Sequence, residues 1–369
     1  MKKLCSGVFR CSPIALAVFS FLAAAVGQGS PDPKQQTDLY GSSGGNVKDT
    51  AKSKCCSGTL GSLVFAGTKK YILSNNHVIG RMGNAVQGEA ISQPGLVDTQ
   101  CKIPRSVGNF TVASPISDNV DAAIAELIDG TMNAAGTIMG VGTPSPQTAI
   151  PAPKMQVIKS GRSTGITQGV IQSYPTEIKV NYSSGCQSAT VGLVDYKNQI
   201  IVVGNSGSFS TDGDSGSLIL TTNKNPVGLL VAGSSTLTVA NPIEAVLESL
   251  SKKLGSSLGF GLDINLGIKA ESAQAVESHA SAQNFADLGK LVSALMSEPA
   301  VIGIGTAGTS NEPELILYVQ KDKEIPVSAM RSFGITVNAQ GAEYRGQKTT
   351  IVRTDPIRAF CQSDRNSRQ

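Results

Sequence analysis

From Ser57 to Val231 the chain keeps repeating one pattern: a short apolar run, then a turn built from Gly, Pro, Asn or Asp. Residues 58–65 and 69–74 read as a hairpin across Ala66-Gly67-Thr68. Further runs fall at 85–91, 106–112, 122–128, 155–159, 169–173, 177–182, 199–203, 217–220 and 227–231. About a dozen short strands within some 200 residues predict antiparallel sheets closed into β-barrels, not a parallel α/β sheet. The composition agrees: 40 glycines, only 16% charged residues, 5% aromatics and no tryptophan suit turn-rich β structure better than a helical bundle.

One turn carries chemistry. Residues 210–217 read Ser-Thr-Asp-Gly-Asp-Ser-Gly-Ser, set between a polar stretch and an apolar run. Gly213 and Gly216 allow a tight turn that exposes the Ser215 hydroxyl and aims backbone N–H groups at one point. A serine hydroxyl needs a base before it can attack. The chain has two histidines. His77 sits where the strand 69–74 gives way to a loop, while His279 lies in an Ala/Glu/Ser-rich stretch and reads as solvated. A third group must orient the base. Asp121 heads the apolar strand 122–128, where a charge persists only with a partner. Asp118 is the alternative, in a turn after Pro115. Taken singly, each residue could be a structural histidine, a strand-edge charge or a turn serine. Together and in order, they predict a catalytic triad.

The order His77, Asp121, Ser215, with intervals of 44 and 94 residues, resembles that of the trypsin-like (chymotrypsin-fold) serine proteases. A closer resemblance is to the plant Narrow leaf proteins and their bacterial relatives. It is carried by residues 58–61, 73–78, 119–125, 159–165, 209–218 and 227–243. The resemblance implies a double β-barrel with the site between the barrels, and a peptide or protein substrate cut through an acyl-enzyme at Ser215. It implies an oxyanion hole from the N–H groups of Gly213 and Ser215, with Asp214 buttressing that loop. It places Val231, Ala232 and Gly233 on the strand that pairs with substrate, and Phe209 at the base of the specificity pocket. Phe209 is not an acid, which argues against Arg or Lys before the cut bond and for a small or apolar residue there. Ser217 departs from the usual second glycine. A catalytically silent peptide-binding protein of the same fold is the alternative.

Asn241-Pro242-Ile243-Glu244 predicts a helix, with Asn241 as its cap and Pro242 at its first position. Ile243, Val246, Leu247 and Leu250 share a face, and Gly255 ends it. The protease domain is thus expected over 51–265. Residues 270–369 read as a separate small α+β domain of unknown role: a helix to about 297, then strands at 301–304, 315–319, 335–338 and 349–353. Gly303-Ile304-Gly305-Thr306-Ala307-Gly308 matches a dinucleotide fingerprint only formally, because a turn follows it and not a helix. Residues 159–165 lack the phosphate-loop spacing and read as a turn bordering the cleft.

Residues 1–27 resemble a secretory signal: Lys2, Lys3 and Arg10 precede an apolar run of about 14 residues, shorter than the roughly 20 that span a bilayer. Their removal leaves no stable membrane span and takes the net charge from +4 to +1, giving no electrostatic case for nucleic acid. Residues 28–50, rich in Gly, Ser, Gln and Pro, read as a flexible linker or pro-segment. A secreted or periplasmic location permits disulfides among Cys55, Cys56, Cys101, Cys186 and Cys361. There is no Cys-x-x-Cys, and the two histidines are far apart, so neither a metal nor a cofactor is expected.

Overall fold

Strand pairing divides the protein into two sheets. The computed structural model describes residues 32–51, 54–182, 192–261, 282–308, 312–338, 341–359 and 362–363. Residues 1–27, read above as a signal segment, and Cys186, His279 and Cys361 lie outside them. The first sheet contains β1 (Ser42–Asn46), β2 (Thr50–Ala51), β3 (Lys54–Leu60), β4 (Ser62–Ala66), β5 (Lys69–Ser74), β6 (Ala90–Ser92), β7 (Ser106–Ala113) and β8 (Ala123–Leu127), in the order β2-β3-β1-β6-β7-β8-β5-β4. The second begins with β9 (Gln156–Gly161), β10 (Gly165–Tyr182), β11 (Gly192–Gly204), β12 (Leu218–Thr221), β13 (Pro226–Gly233) and β14 (Thr238–Pro242). Their order is β11-β14-β13-β12-β9-β10, and β10 pairs again with β11, so six strands close a barrel. The architecture is mainly β and of the trypsin-like type.

In β10, buried and part-exposed residues alternate along the strand, the period-2 signature of one face on a core. The runs 169–173 and 177–182 belong to this single strand, with irregular register around Pro175, which lacks the N–H a regular ladder needs. The core of the first sheet gathers Leu60, Ile72, Ile91, Val107 and Ile124 with Val246 and Leu250 from a helix. That helix, α2 (Ile243–Leu254), follows β14; the short α1 (Asn76–Ile79) follows β5. Ile243, Val246, Leu247 and Leu250 are buried as the pattern predicts, each worth roughly 1.5–3 kcal/mol in apolar area. Gly255 ends α2 in the left-handed conformation, φ 72°.

Three expectations need correction. Residues 42–46, read as linker, form the fully buried strand β1 between β3 and β6. Their small side chains suit that close sandwich and gave no hydrophobic signal. Asn241 does not cap α2. The cap position is Pro242, with no side-chain bond, because β14 runs through Asn241 and turns its amide toward Asp121. The region after 270 has its own core, including Leu291, Leu295, Ile304, Leu317 and Met330, but its sheet is not separate. β15 (Val301–Gly308) pairs with β10, and the sheet continues through β16 (Pro313–Gln320), β19 (Gln347–Thr354), β18 (Gly341–Tyr344) and β17 (Ile335–Asn338). Helices α3 (Ala282–Met296) and α4 (Val327–Ser332) accompany these strands, and Asp32–Gln369 falls in one compact unit. The formal dinucleotide fingerprint is part of β15, with Gly303 opposite Ile178 and Gly305 opposite Thr176.

Cys55 is bonded to Cys101. Cys56, its neighbour on β3, is also disulfide-bonded. A final strand, β20 (Gln362–Ser363), pairs with β3.

Candidate active site

His77 is the second residue of α1, immediately after β5, and Asp121 stands just ahead of β8. β5 and β8 are neighbours, with Ser74 opposite Ala123, so the ladder brings the two residues together. The Asp121 carboxylate is fully buried. Its Oδ1 accepts the His77 backbone N–H at 3.1 Å, and its Oδ2 lies 2.5 Å from His77 Nδ1. A carboxylate can only accept, so Nδ1 carries the proton and Nε2 is the basic nitrogen. Asp118, the alternative, is half-exposed and faces Lys253 at 4.0 Å.

Three further side chains hold Asp121. The Tyr182 hydroxyl donates to Oδ2 at 2.8 Å and is itself 2.7 Å from the Tyr196 hydroxyl, which donates to Ile116 O at 3.1 Å. Burial, then the Asp121 charge, pushes the Tyr182 phenol well above its ordinary pKa, so it is a permanent donor. The Asp121 N–H donates to Asn241 Oδ1 at 2.9 Å, and Asn75 Nδ2 donates to Asp121 O at 2.6 Å. Sequence reasoning missed Tyr182, Tyr196 and Asn241. Their only signal was polar groups at inward positions of otherwise apolar strands.

Ser215 lies in the loop between β11 and β12, stitched to both sheets. The Thr59 N–H, from β3, donates to Ser215 O at 2.9 Å, and Thr59 Oγ1 donates to Gly213 O at 2.9 Å. The Gly216 N–H donates to Leu230 O at 2.9 Å. Two glycines make this closeness possible. A Cβ on Gly58 would lie 2.6 Å from the Val78 side chain and 3.0 Å from Ser215 O. The residue after His77 and the Ser215 loop therefore converge on one point of β3. Gly216 has φ +95°, and a Cβ there would meet Thr59 O at 2.2 Å, so no other residue fits without rearrangement. The Ser215 hydroxyl donates to Val231 O at 3.1 Å.

Asp214 braces the loop. Its Oδ1 accepts the N–H groups of Ser163 (2.8 Å) and Thr164 (3.1 Å). Its Oδ2 accepts Thr164 Oγ1 (2.7 Å) and the Thr211 N–H (3.0 Å). The buried Lys159 ammonium stands 3.6 Å away. Residues 159–164 thus tie the loop that carries Ser215 down. Burial lowers the Lys159 pKa, and the Asp214 charge works against that shift.

A cavity of about 120 Å³ opens beside Ser215, lined by Ser210, Asp212, Ala232, Gly233, Ser235 and Arg358 among others. Ala232 and Gly233, read above as substrate-pairing residues, line this cavity. Phe209 and Val231 are not among its lining residues. The Phe209 ring is buried in the barrel core with Ile171, Val202 and Ile219, under the Lys159 ammonium at 5.8 Å, because a large apolar ring gains more from the core than from a polar pocket.

Behind His77, Glu89 is buried against Arg81 (2.7 Å) and Asn46 (2.9 Å). Burial raises nearby Asp49 from 3.8 to about 6, partly offset by Arg81 and His77. Between those values the folded chain holds a proton that the unfolded chain has lost, so Asp49 subtracts stability as pH rises across this window. Asp49→Asn is expected to stabilise the protein above pH 6, by about 3 kcal/mol at most, and to change nothing below pH 3.8. Urea unfolding at the two extremes checks this.

The closed second barrel, the first sheet beside it and the placing of His77, Asp121 and Ser215 on adjoining elements define a protein of the trypsin-like serine protease fold. Residues 107–241 match the family model described as the Nal1 C-terminal domain. The matched stretch includes Asp121 and Ser215 and begins after His77. Among solved structures, the chain is similar to a glutamic acid-specific serine protease (17% identity, TM-score 0.42, 60% of this chain and 98% of that one). It is also similar to Thermobifida fusca Protease A (19%, 0.41, 61% and 99%) and to Nocardiopsis protease (16%, 0.38, 57% and 97%). No curated protein matches the chain.

Proposed function

We propose that the protein is a serine endopeptidase, exported by the segment 1–27 to the periplasm or the exterior. The observation that carries this reading is the buried Asp121 carboxylate. It takes the Nδ1 side and the backbone N–H of one histidine together with the Tyr182 hydroxyl, which fixes the tautomer that leaves Nε2 as the base. Ser215 Oγ attacks the peptide carbonyl carbon while His77 Nε2 takes the hydroxyl proton. The oxyanion is met by the N–H groups of Gly213 and Ser215. Collapse releases the amine, which receives the proton from His77, and leaves an ester on Ser215. Water then repeats the sequence and frees the acid. Asp121 and Tyr182 orient and stabilise the imidazolium; they transfer no proton. The Cys55–Cys101 bond supports an oxidising compartment.

The pocket beside Ser215 is small, with Ala232 in its wall. The protein is therefore expected to cut after small residues at least tenfold faster than after aromatic ones. Digestion of a defined peptide mixture, with cut sites mapped by mass spectrometry and Ser215→Ala as control, tests both claims. Cuts that persist in the control, or a preference for aromatic residues, count against them.

One observation favours a second reading, a catalytically silent peptide-binding protein: the Ser215 hydroxyl donates to the Val231 carbonyl, a group that a bound peptide would need. Absence of any Ser215-dependent cut would support it.

A further inference from the structure

The edge of β13 beyond Ser215 is already occupied. In an extended strand, the backbone polar groups of residues two apart face the same side. The Val231 carbonyl faces Ser215 Oγ at 3.1 Å; the ladder with β14 shifts register between Leu230 and Ala232, and beyond the shift Gly233 turns its N–H and C=O to Arg358, which lines the cavity beside Ser215. A peptide laid antiparallel on this edge, its scissile carbonyl at Ser215, sets the residue before that bond against Val231. The third residue before the bond then falls opposite Gly233.

That third position is filled by the chain's own Arg358. The Gly233 N–H donates to Arg358 O at 3.0 Å, and the Arg358 N–H donates to Gly233 O at 2.9 Å, an antiparallel bridge. On the other side, the Asn181 N–H donates to Ile357 O at 2.9 Å, and the Ala359 N–H donates to Asn181 O at 3.1 Å. Ile357 and Ala359 are buried in the cluster that holds Val231 and Ala232. Just before them, Ser235 Oγ donates to Asp355 Oδ2 at 2.6 Å, and the Ser234 and Thr354 hydroxyls are 2.7 Å apart. Four main-chain bonds and two buried apolar side chains make this segment part of the barrel wall.

We infer that residues 357–359 are a built-in occupant of the substrate-pairing edge, so that the site reads only two residues on the amino side of the scissile bond. The inference rests on the proposed function for which bond is cut, but the occupancy concerns binding alone. The ligand class is a peptide recognised through the two residues before its cut bond. A third residue has no main-chain partner at Gly233.

The test measures binding of N-acetylated alanine peptides of two and four residues to the full-length Ser215→Ala protein, by calorimetry. The two peptides should bind within about twofold of each other. Adding Arg358→Pro removes the N–H that holds Gly233 O, and the four-residue peptide should then bind about tenfold tighter than the shorter one, the worth of one or two net backbone hydrogen bonds. A tenfold preference for the longer peptide before that change overturns the inference. So does a folded Arg358→Pro protein with no gain, or no binding of either peptide at millimolar concentration. If Arg358→Pro does not fold, the length ratio without it decides alone. Labelling of Ser215 by a fluorophosphonate judges the chemistry separately: an unlabelled protein that shows this length dependence keeps the occupancy and loses the proposed activity.

Discussion

Asp121→Asn is expected to lower kcat by roughly 10⁴-fold while KM changes far less. The geometry leaves the amide no good orientation. If its oxygen faces His77 Nδ1, its NH₂ replaces Oδ1 and meets the His77 backbone N–H that donates there at 3.1 Å, donor against donor. If its NH₂ faces Nδ1 instead, the imidazole must carry its proton on Nε2 and is no longer a base. Tyr182→Phe makes the informative contrast. It keeps the carboxylate and removes one of its donors, the bond at 2.8 Å. A loss of about three- to tenfold in kcat is expected, the worth of one hydrogen bond. Steady-state kinetics on a peptide anilide measures both. A Tyr182→Phe effect as large as that of Asp121→Asn would mean that the tyrosine does more than position the acid.

The second large effect is on stability. Asp214→Asn preserves shape but leaves the Lys159 ammonium, fully buried and 3.6 Å away, without its counter-charge. Breaking such a pair from one side costs about 3–5 kcal/mol. The amide also puts an NH₂ where Oδ1 and Oδ2 between them accept four donors. Urea unfolding should show the loss. Adding Lys159→Met should recover more than half of it by removing the stranded charge, since Met matches the volume of the lysine stem. Activity should stay low in the double variant, because the Ser215 loop still lacks its brace. If the double variant is no more stable than Asp214→Asn alone, the charge is not what the carboxylate supplies.

The strands were legible where their cause is local. Short apolar runs between Gly/Asn/Pro turns mark β4, β5, β8 and β13, and the pairing of His77 with Asp121 follows from two strand ends on neighbouring strands. What stayed hidden depends on register. Tyr182, the last residue of β10 in the second sheet, reaches Asp121 ahead of β8 in the first. Asn241 is a good cap residue by type and a strand residue by position, and the β11–β14–β13 ladder decides the matter. β1 carries no apolar signal, since its Ser and Gly residues are buried for want of side chains to expose. The continuation of β10 into β15 is a sheet-edge pairing that no local pattern announces. The resemblance puts Phe209 at the pocket base from its distance to Ser215, and its large apolar ring lies in the barrel core. The occupied edge at Gly233 pairs residues 125 apart in sequence, Gly233 and Arg358, which spacing alone does not suggest.

The measurement that bears most directly on the central claim is fluorophosphonate labelling of the purified protein, read by intact mass and peptide mapping, beside Ser215→Ala and His77→Ala. The account predicts one adduct, on Ser215, absent from Ser215→Ala and formed far more slowly in His77→Ala. No adduct on the parent, or an adduct that forms equally fast without His77, would contradict it.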